Sequence, residues 1–527
     1  MPTVDWQQVI LNLDWTKRAA LKEILSFVRA TVLISISHFV TRRNEQEIYH
    51  LSITKVFLYN MIGPIHQRWN AQDGYRDVLK LAFPLILSTA SSTIQQFVDR
   101  MFLTWHSPAA IAAAATAGIV SFTLQTVFIG TAAYVNTFVA QYYGAKQYDR
   151  IASAVWQGIY FALMAGVLVL GFIPLAKPIF FLAGHAAEMR ELEVQYFTIL
   201  CFGALPGFFM ASASGFFGGR GETRIILWAN LVATCINILF DYFLIFGHGG
   251  FPALGIKGAA IATVMAAYAA AVVIMLYMLK AHYRQQYRIL KNHQFDWSLF
   301  KRLLRFGLPN GFHFMLDLLG FTIFVLLVGR LGTLELAATS ITFNINHIAF
   351  MPMIGIGMAV EIIVGQRLGE NNPQQARFGT YSALHLTFVY MITIALTYVL
   401  FPNIYLWPFA AQSDPTQFAI IAKMAIILLY FVAFYCIFDT LNIIFASALK
   451  GAGDTRWVMI TSVILSWTTL VVPTFFACVI YRWGIYIAWS FVTLYIMGLG
   501  IAFTIRFRGG RWESMRVIEP TGSREIE

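Results

Sequence analysis

Four aspartates, Asp99, Asp241, Asp317 and Asp439, each stand inside a long apolar run. A charge at bilayer mid-depth costs roughly 3 kcal/mol on the insertion scale, so carboxylates there point first to a proton or ion pathway. Asn237 and Asp241 are four residues apart and therefore share one helical face. With Asp99 from the first run and Thr263 from the sixth they offer two carboxylates, an amide carbonyl and a hydroxyl. That oxygen set suits a hard cation such as Na+ or a proton; the alternative is an internally hydrogen-bonded polar cluster. Asp317 and Asp439 are the matching carboxylates of the second half, with Glu361 in GMAVEIIVG as a further candidate. His313, one helical turn before Asp317, is an alternative, purely structural partner for it. Pro84 and Pro309 open the first helix of each half at equivalent places, where a missing backbone donor permits bending.

The elements that carry these residues are set by composition. Of 527 residues, 58% are hydrophobic and 12% charged, far from the soluble mixture and typical of a polytopic membrane protein. Twelve runs are long enough to cross as helices: 77–105, 110–143, 150–175, 190–217, 224–247, 256–280, 299–330, 334–367, 376–403, 416–449, 455–481 and 484–506. The net charge of +11 follows topology and implies no nucleic acid, because the cations gather in the turns after even-numbered runs, among them Lys146, Arg150, Arg220, Arg224, Arg367, Lys450 and Arg456. The positive-inside rule then puts both termini in the cytoplasm. The four cysteines all fall in the runs without metal-ligand spacing, and no cleavable leader opens the chain, so a multi-pass cell (inner) membrane protein without cofactor is expected.

Pro84, Gly130, Gln141 and Gly144 recur with unchanged spacing as Pro309, Gly355, Gln366 and Gly369, and Gly219-Arg-Gly221-Glu-Thr-Arg224 returns as Gly451-Ala-Gly453-Asp-Thr-Arg456. The chain is therefore an all-α duplication, two six-helix lobes in parallel repeat around a central cleft. The expected organisation is an N-terminal extension 1–76 that is interfacial and amphipathic or plainly cytosolic, lobes 77–281 and 299–508, a basic cytoplasmic linker 282–298 and a cytoplasmic tail 509–527.

The segments FPLILSTASSTIQQFVDRMFL, FVAQYYGAKQ, NILFDYFLIFG, PALGIKGAAIATV, FGLPNG and IIVGQRLGENN, in order through both halves, resemble the multidrug and toxic compound extrusion (MATE) transporters. The resemblance implies a monomeric secondary antiporter that exports small organic cations or drug-like compounds as Na+ or H+ enters. It assigns Asp99, Asn237, Asp241 and Thr263 to the first-lobe ion or proton site, Asp317 and Asp439 to second-lobe carboxylates, and Pro84 to the bend of the first helix. Arg100 beside Asp99, aspartate for glutamate at Asp317, and Glu361 depart from the family pattern. The rival reading is a lipid-linked oligosaccharide flippase of the same superfamily, whose cleft is typically cationic. No HExxH, GxSxG or paired nucleophile and base is present, so an enzyme is not expected.

Overall fold

The computed structural model describes residues 67–182, 184–410 and 415–519. The expected amphipathic helix within the first 66 residues, and the last eight residues of the tail, lie outside the described residues. Among the described residues, twelve helices are long and apolar enough to span a membrane: α1 Tyr75–His106, α2 Pro108–Gly144, α3 Tyr148–Leu182, α4 Ala187–Gly218, α5 Thr223–Phe246, α6 Ile256–Met278, α7 Trp297–Val328, α8 Thr333–Gly369, α9 Pro373–Leu400, α10 Thr416–Ala452, α11 Thr455–Ile480 and α12 Ile485–Arg508. These match the expected runs to within a few residues at most ends, and no strand occurs among the described residues.

Local chemistry places the ends. Ser107 accepts the Ala110 N–H at 3.2 Å with Pro108 in the first turn of α2, and Asn372 caps α9 in the same way ahead of Pro373. Gly247 ends α5 at φ 77°, a left-handed conformation that glycine adopts without strain. Within the spans, hydroxyls such as Thr322, Thr387 and Thr504 donate back to the carbonyl one turn earlier, so they bring no unsatisfied group into the apolar layer. In α11 the chain passes through two π-helical stretches, Ser466–Val471 and Phe476–Ile480, on either side of Pro473.

The lobes meet where side chains vanish. A Cβ on Gly144 would lie 1.9 Å from the Gln366 carbonyl oxygen, and one on Gly369 would lie 2.1 Å from that of Gln141, so α2 and α8 touch backbone to backbone. Gly130 against Gly311, and Gly355 against Ile86, repeat the relation deeper in the interface. Among the described residues, hydrogen bonds between the lobes gather at the end of the bundle that carries the turns after even-numbered helices. The deepest are Asn310 to the Gly130 carbonyl at 2.9 Å and Thr131 to the Gly307 carbonyl at 3.3 Å.

The segment between the lobes is docked on the first one. Tyr283, in the short helix Ala281–Gln286, donates to Glu222 at 2.7 Å, and the Trp156 indole donates to the Ile289 carbonyl at 2.8 Å. The Trp156 indole N–H thus holds this connection to the first lobe. Trp105, Trp407, Trp467 and Trp483 are exposed, as interface anchors require.

Candidate functional site: buried acceptors in both lobes

Between α1 and α5 of the first lobe runs a polar seam. Thr223 donates to the Leu81 carbonyl, Asn230 to Ser88, and Ser91 pairs with Thr234 at 2.7 Å, with Gln95 3.5 Å from Thr234. The residues step by seven and then by three or four along each helix, so every one or two turns bring the next pair into register. The seam leads to Asp99 on α1 and to Asn237 and Asp241 on α5, the last two fully buried. Thr263 of α6 closes this group, with Asn237 Nδ2 at 3.5 Å from its hydroxyl. The structure thus brings together the four first-lobe residues singled out in the sequence.

What distinguishes this group is the lack of donors. Among the described residues, Asp99 Oδ1, Asn237 Oδ1 and both oxygens of Asp241 are buried with no hydrogen-bond partner. Asp99 and Asp241 lie within electrostatic reach of each other, and Tyr196 of α4 lies within reach of both. Buried polar atoms are almost always paired, and leaving one unmade costs about 1–3 kcal/mol, more for a charge. Four unpartnered acceptors on neighbouring residues suit a proton or a hard, oxygen-seeking cation. Arg100 is exposed and forms no ion pair among the described residues, acting on Asp99 only through electrostatic proximity. Nor do three or more His, Cys, Asp or Glu side chains gather as a transition metal would require, again among the described residues.

The second lobe is partnered differently. Tyr495 of α12 donates to Asp317 Oδ1 at 2.9 Å, and the two line a cavity of about 10 Å³ with Ser462 and Ser466 of α11, enough for about one small guest. The π-helical stretch begins at Ser466, on the cavity wall, where such bulges often mark functional sites. His313 pairs with Ser462 at 3.0 Å rather than with Asp317, so the structural ion pair considered from sequence does not form. Asp439 of α10 is buried, accepts from Asn442 at 3.2 Å and lies within electrostatic reach of Asp317. Pro84 and Pro309 stand inside α1 and α7, upstream of Asp99 and Asp317 respectively.

Glu361 sits apart from these groups, at the contact between the lobes, where it accepts a hydrogen bond from Thr137 of α2. Lys450 was expected in an exposed turn. It instead lies in the last turn of α10, half-buried, within electrostatic reach of both Glu361 and Asp317. Another buried carboxylate that sequence reading passed over is Glu193 of α4, held by Thr116 and by His185 Nδ1 at 2.8 Å, with Oε2 unpartnered. Its signal was one of three glutamates, Glu188, Glu191 and Glu193, in the first turns of a span, easily taken together for helix-terminal charges.

A family model described as MatE matches residues 84–243 and 309–475, one segment in each lobe. The chain is 25% identical over 454 residues to a probable multidrug resistance protein NorM of Thermotoga maritima, covering 86% of this chain and 96% of that one. It is 27% identical over 404 residues to a probable multidrug resistance protein NorM of Synechocystis sp., covering 76% and 87%. Among solved structures it is similar to a MOP superfamily transporter from Pyrococcus furiosus, at a TM-score of 0.77 and 18% identity over 85% of this chain and 98% of that one. It is also similar to the eukaryotic MATE transporter AtDTX14, at 0.74 and 20% over 83% and 96%. With a matching segment in each of two six-helix lobes, together more than half of the sequence, this chain belongs to the MatE family.

Proposed function

We propose that the protein is a multidrug efflux transporter of the cell (inner) membrane, a secondary antiporter that exports organic cations or drug-like compounds in exchange for Na+ or H+. The observation that carries this reading is the group of four partnerless acceptor oxygens on Asp99, Asn237 and Asp241. Two neighbouring carboxylates with unpartnered oxygens favour uptake of a positive charge, and a proton or Na+ held by Asp99, Asn237, Asp241 and Thr263 meets that need. The turns rich in Lys and Arg face the cytoplasm in this reading, with both termini, so the lobes are closed on the cytoplasmic side and the cleft opens outward. An ion arriving from outside loads the acceptors; a cationic substrate in the same cleft loses the charge that held it and leaves.

Coupling requires that the ion favour one conformation, because a ligand that binds both states equally shifts neither. Pro84 lets α1 bend as Asp99 changes its charge state, since proline removes one helical hydrogen bond. In the second lobe Asp317, Asp439 and Glu361 act as further carboxylates for the same cation or proton traffic, with Lys450 within electrostatic reach of Asp317 and Glu361. A lipid-linked oligosaccharide flippase is the second reading, favoured by the half-buried Lys450, but a lysine within electrostatic reach of two acids is a weak receptor for a pyrophosphate.

Efflux of a fluorescent organic cation from vesicles holding the purified protein, under sodium and proton gradients imposed separately, tests the proposal. Acceleration by one inward gradient is expected. If neither gradient changes the rate, the antiport reading fails and the flippase takes its place.

A further inference from the structure

Past α12 the chain was expected to be a plain tail, yet residues 511–519 are built into the interface of the lobes. Trp512 and Val517 are fully buried and Ile518 nearly so, which is costly to arrange for a solvated tail. Trp512 stacks on Phe507 with ring centroids 4.7 Å apart and donates its indole N–H to the Phe507 carbonyl at 2.8 Å, anchoring the segment to the second lobe. Arg377 pairs with Glu513, and Arg516 reaches Asn371, on the same lobe.

From that anchor the segment crosses to the first lobe. The Val517 N–H donates to Gln141 Oε1 at 2.8 Å, while the Val517 carbonyl accepts from Arg302 of α7 at 3.0 Å. The Glu519 carboxylate takes Arg150 of α3 at 3.1 Å, the Tyr142 hydroxyl of α2 at 2.9 Å and Arg302 at 3.8 Å. Burial disfavours the ionised Glu519, but Arg150, Tyr142 and Arg302 outweigh it and hold its pKa below the usual carboxylate range.

Gln141 links this crossing to the contact between the lobes themselves. Its Nε2 donates to the Gly451 carbonyl at 3.0 Å, at the end of α10. The repeat-related Gln366 donates to the repeat-related Gly219 carbonyl at 2.8 Å, at the end of α4. Each glutamine therefore belongs to one lobe and clasps the other, and the two clasps exchange under the internal symmetry. Among the described residues, the segment 511–519 has no twin that crosses, because the segment after α6, at the equivalent place in the repeat, docks on its own lobe through Glu222, Trp156 and Asp149. It adds to one clasp only, occupying the second face of the Gln141 amide.

We propose that Arg511–Glu519 is a strap that locks the cytoplasmic side of the cleft and must come off before the lobes part there. This rests on the alternating-access reading above. Every bond from the strap to the first lobe breaks when α2 separates from α8, whereas the Trp512 anchor stays with α12. The strap therefore stabilises only the state closed on this side, and its loss shifts the population toward the opposite state.

Spin labels on Arg224→Cys and Arg456→Cys, exposed and repeat-related on opposite lobes, report the separation in full-length protein reconstituted in lipid, with the exposed Cys235 replaced by Ala. Glu519→Arg sets a cation against Arg150 and Arg302, and a chain ended after Gly510 removes the strap altogether. Glu519→Arg is expected to raise the longer-distance population about fivefold, the size of effect a half-buried ion-pair network supports, and the shortened chain to raise it further. If both variants match the wild type while added substrate still lengthens the distance, the strap proposal falls and alternating access stands. If the shortened chain does not fold, Glu519→Arg alone decides. If no sample, wild type included, ever shows a second distance, both fall.

Discussion

Replacing Asp241 by Asn separates the transport role of the first-lobe pocket from a structural one. Asp241 contributes two of the four partnerless acceptors, beside Asp99 within electrostatic reach. The amide keeps the shape and brings two N–H donors, which have Asp99 Oδ1 and Asn237 Oδ1 to meet. Each hydrogen bond gained stabilises by about 1 kcal/mol, so the variant is expected to melt at the same temperature as the wild type or higher. Its loss is in ion affinity. One carboxylate acting on a cation about 4 Å away, at an effective dielectric of about 20, contributes about 4 kcal/mol, roughly a thousandfold in affinity. Moving a conformational equilibrium from about 1:99 to 99:1 takes about 5.5 kcal/mol of differential binding, so most of the coupling disappears. The assay pairs a melting curve of the purified variant with gradient-driven efflux from vesicles. A stable protein with efflux reduced at least about a hundredfold is expected; undiminished efflux, or a sharp drop in melting temperature, refutes the reasoning.

Three other perturbations read different parts of the molecule. Gly144→Ala sets a Cβ 1.9 Å from the Gln366 carbonyl oxygen, an unyielding backbone contact, so the closed cytoplasmic side should lose about 1–3 kcal/mol and the interlobe distance should lengthen; an unchanged distance counts against the close approach. Tyr495→Phe strips Asp317 of its 2.9 Å donor and is expected to lower stability by about 1–3 kcal/mol and slow exchange, measured by melting and by efflux. Asp296 is held below the usual carboxylate range because the Leu299 N–H and Arg150 outweigh its burial, and Glu519 is held low in the same manner. A folded-state pKa below the unfolded one gives stability that is complete above the unfolded value, about 4, and is lost as pH falls through the folded value. The melting-temperature difference between wild type and Glu519→Gln should therefore be constant from about pH 6 upward and shrink on acidification below about pH 4; a difference that grows with acid contradicts the assignment.

The spans were legible because length and hydropathy alone decide them, and the duplication was legible because glycines at backbone contacts cannot drift: Gly144 and Gly369 recur because a Cβ at either would strike the opposite helix. Asn237 and Asp241 were found together since one turn separates them, and Asp99 and Thr263 joined them as polar groups in apolar runs of the same lobe, a grouping the family resemblance repeated. Lys450 was misplaced because a lysine near a helix end looks the same whether it faces water or Glu361. His313 was matched to the wrong partner, since helical spacing offered Asp317 while packing against α11 offered Ser462. The strap left only a weak trace, Trp512, Val517 and Ile518 in a polar tail, because its meaning depends on which lobes it bridges.

The central claim is that ion and substrate compete through the acceptors on Asp99, Asn237 and Asp241. By linkage, a substrate that weakens ion binding must expel the ion when it binds. Adding tetraphenylphosphonium to the purified wild-type protein, while proton and Na+ release are followed, measures this without any membrane or gradient. Release of one of the two ions is predicted, abolished in Asp241→Asn. Tetraphenylphosphonium binding to the wild type with neither ion released would contradict the account.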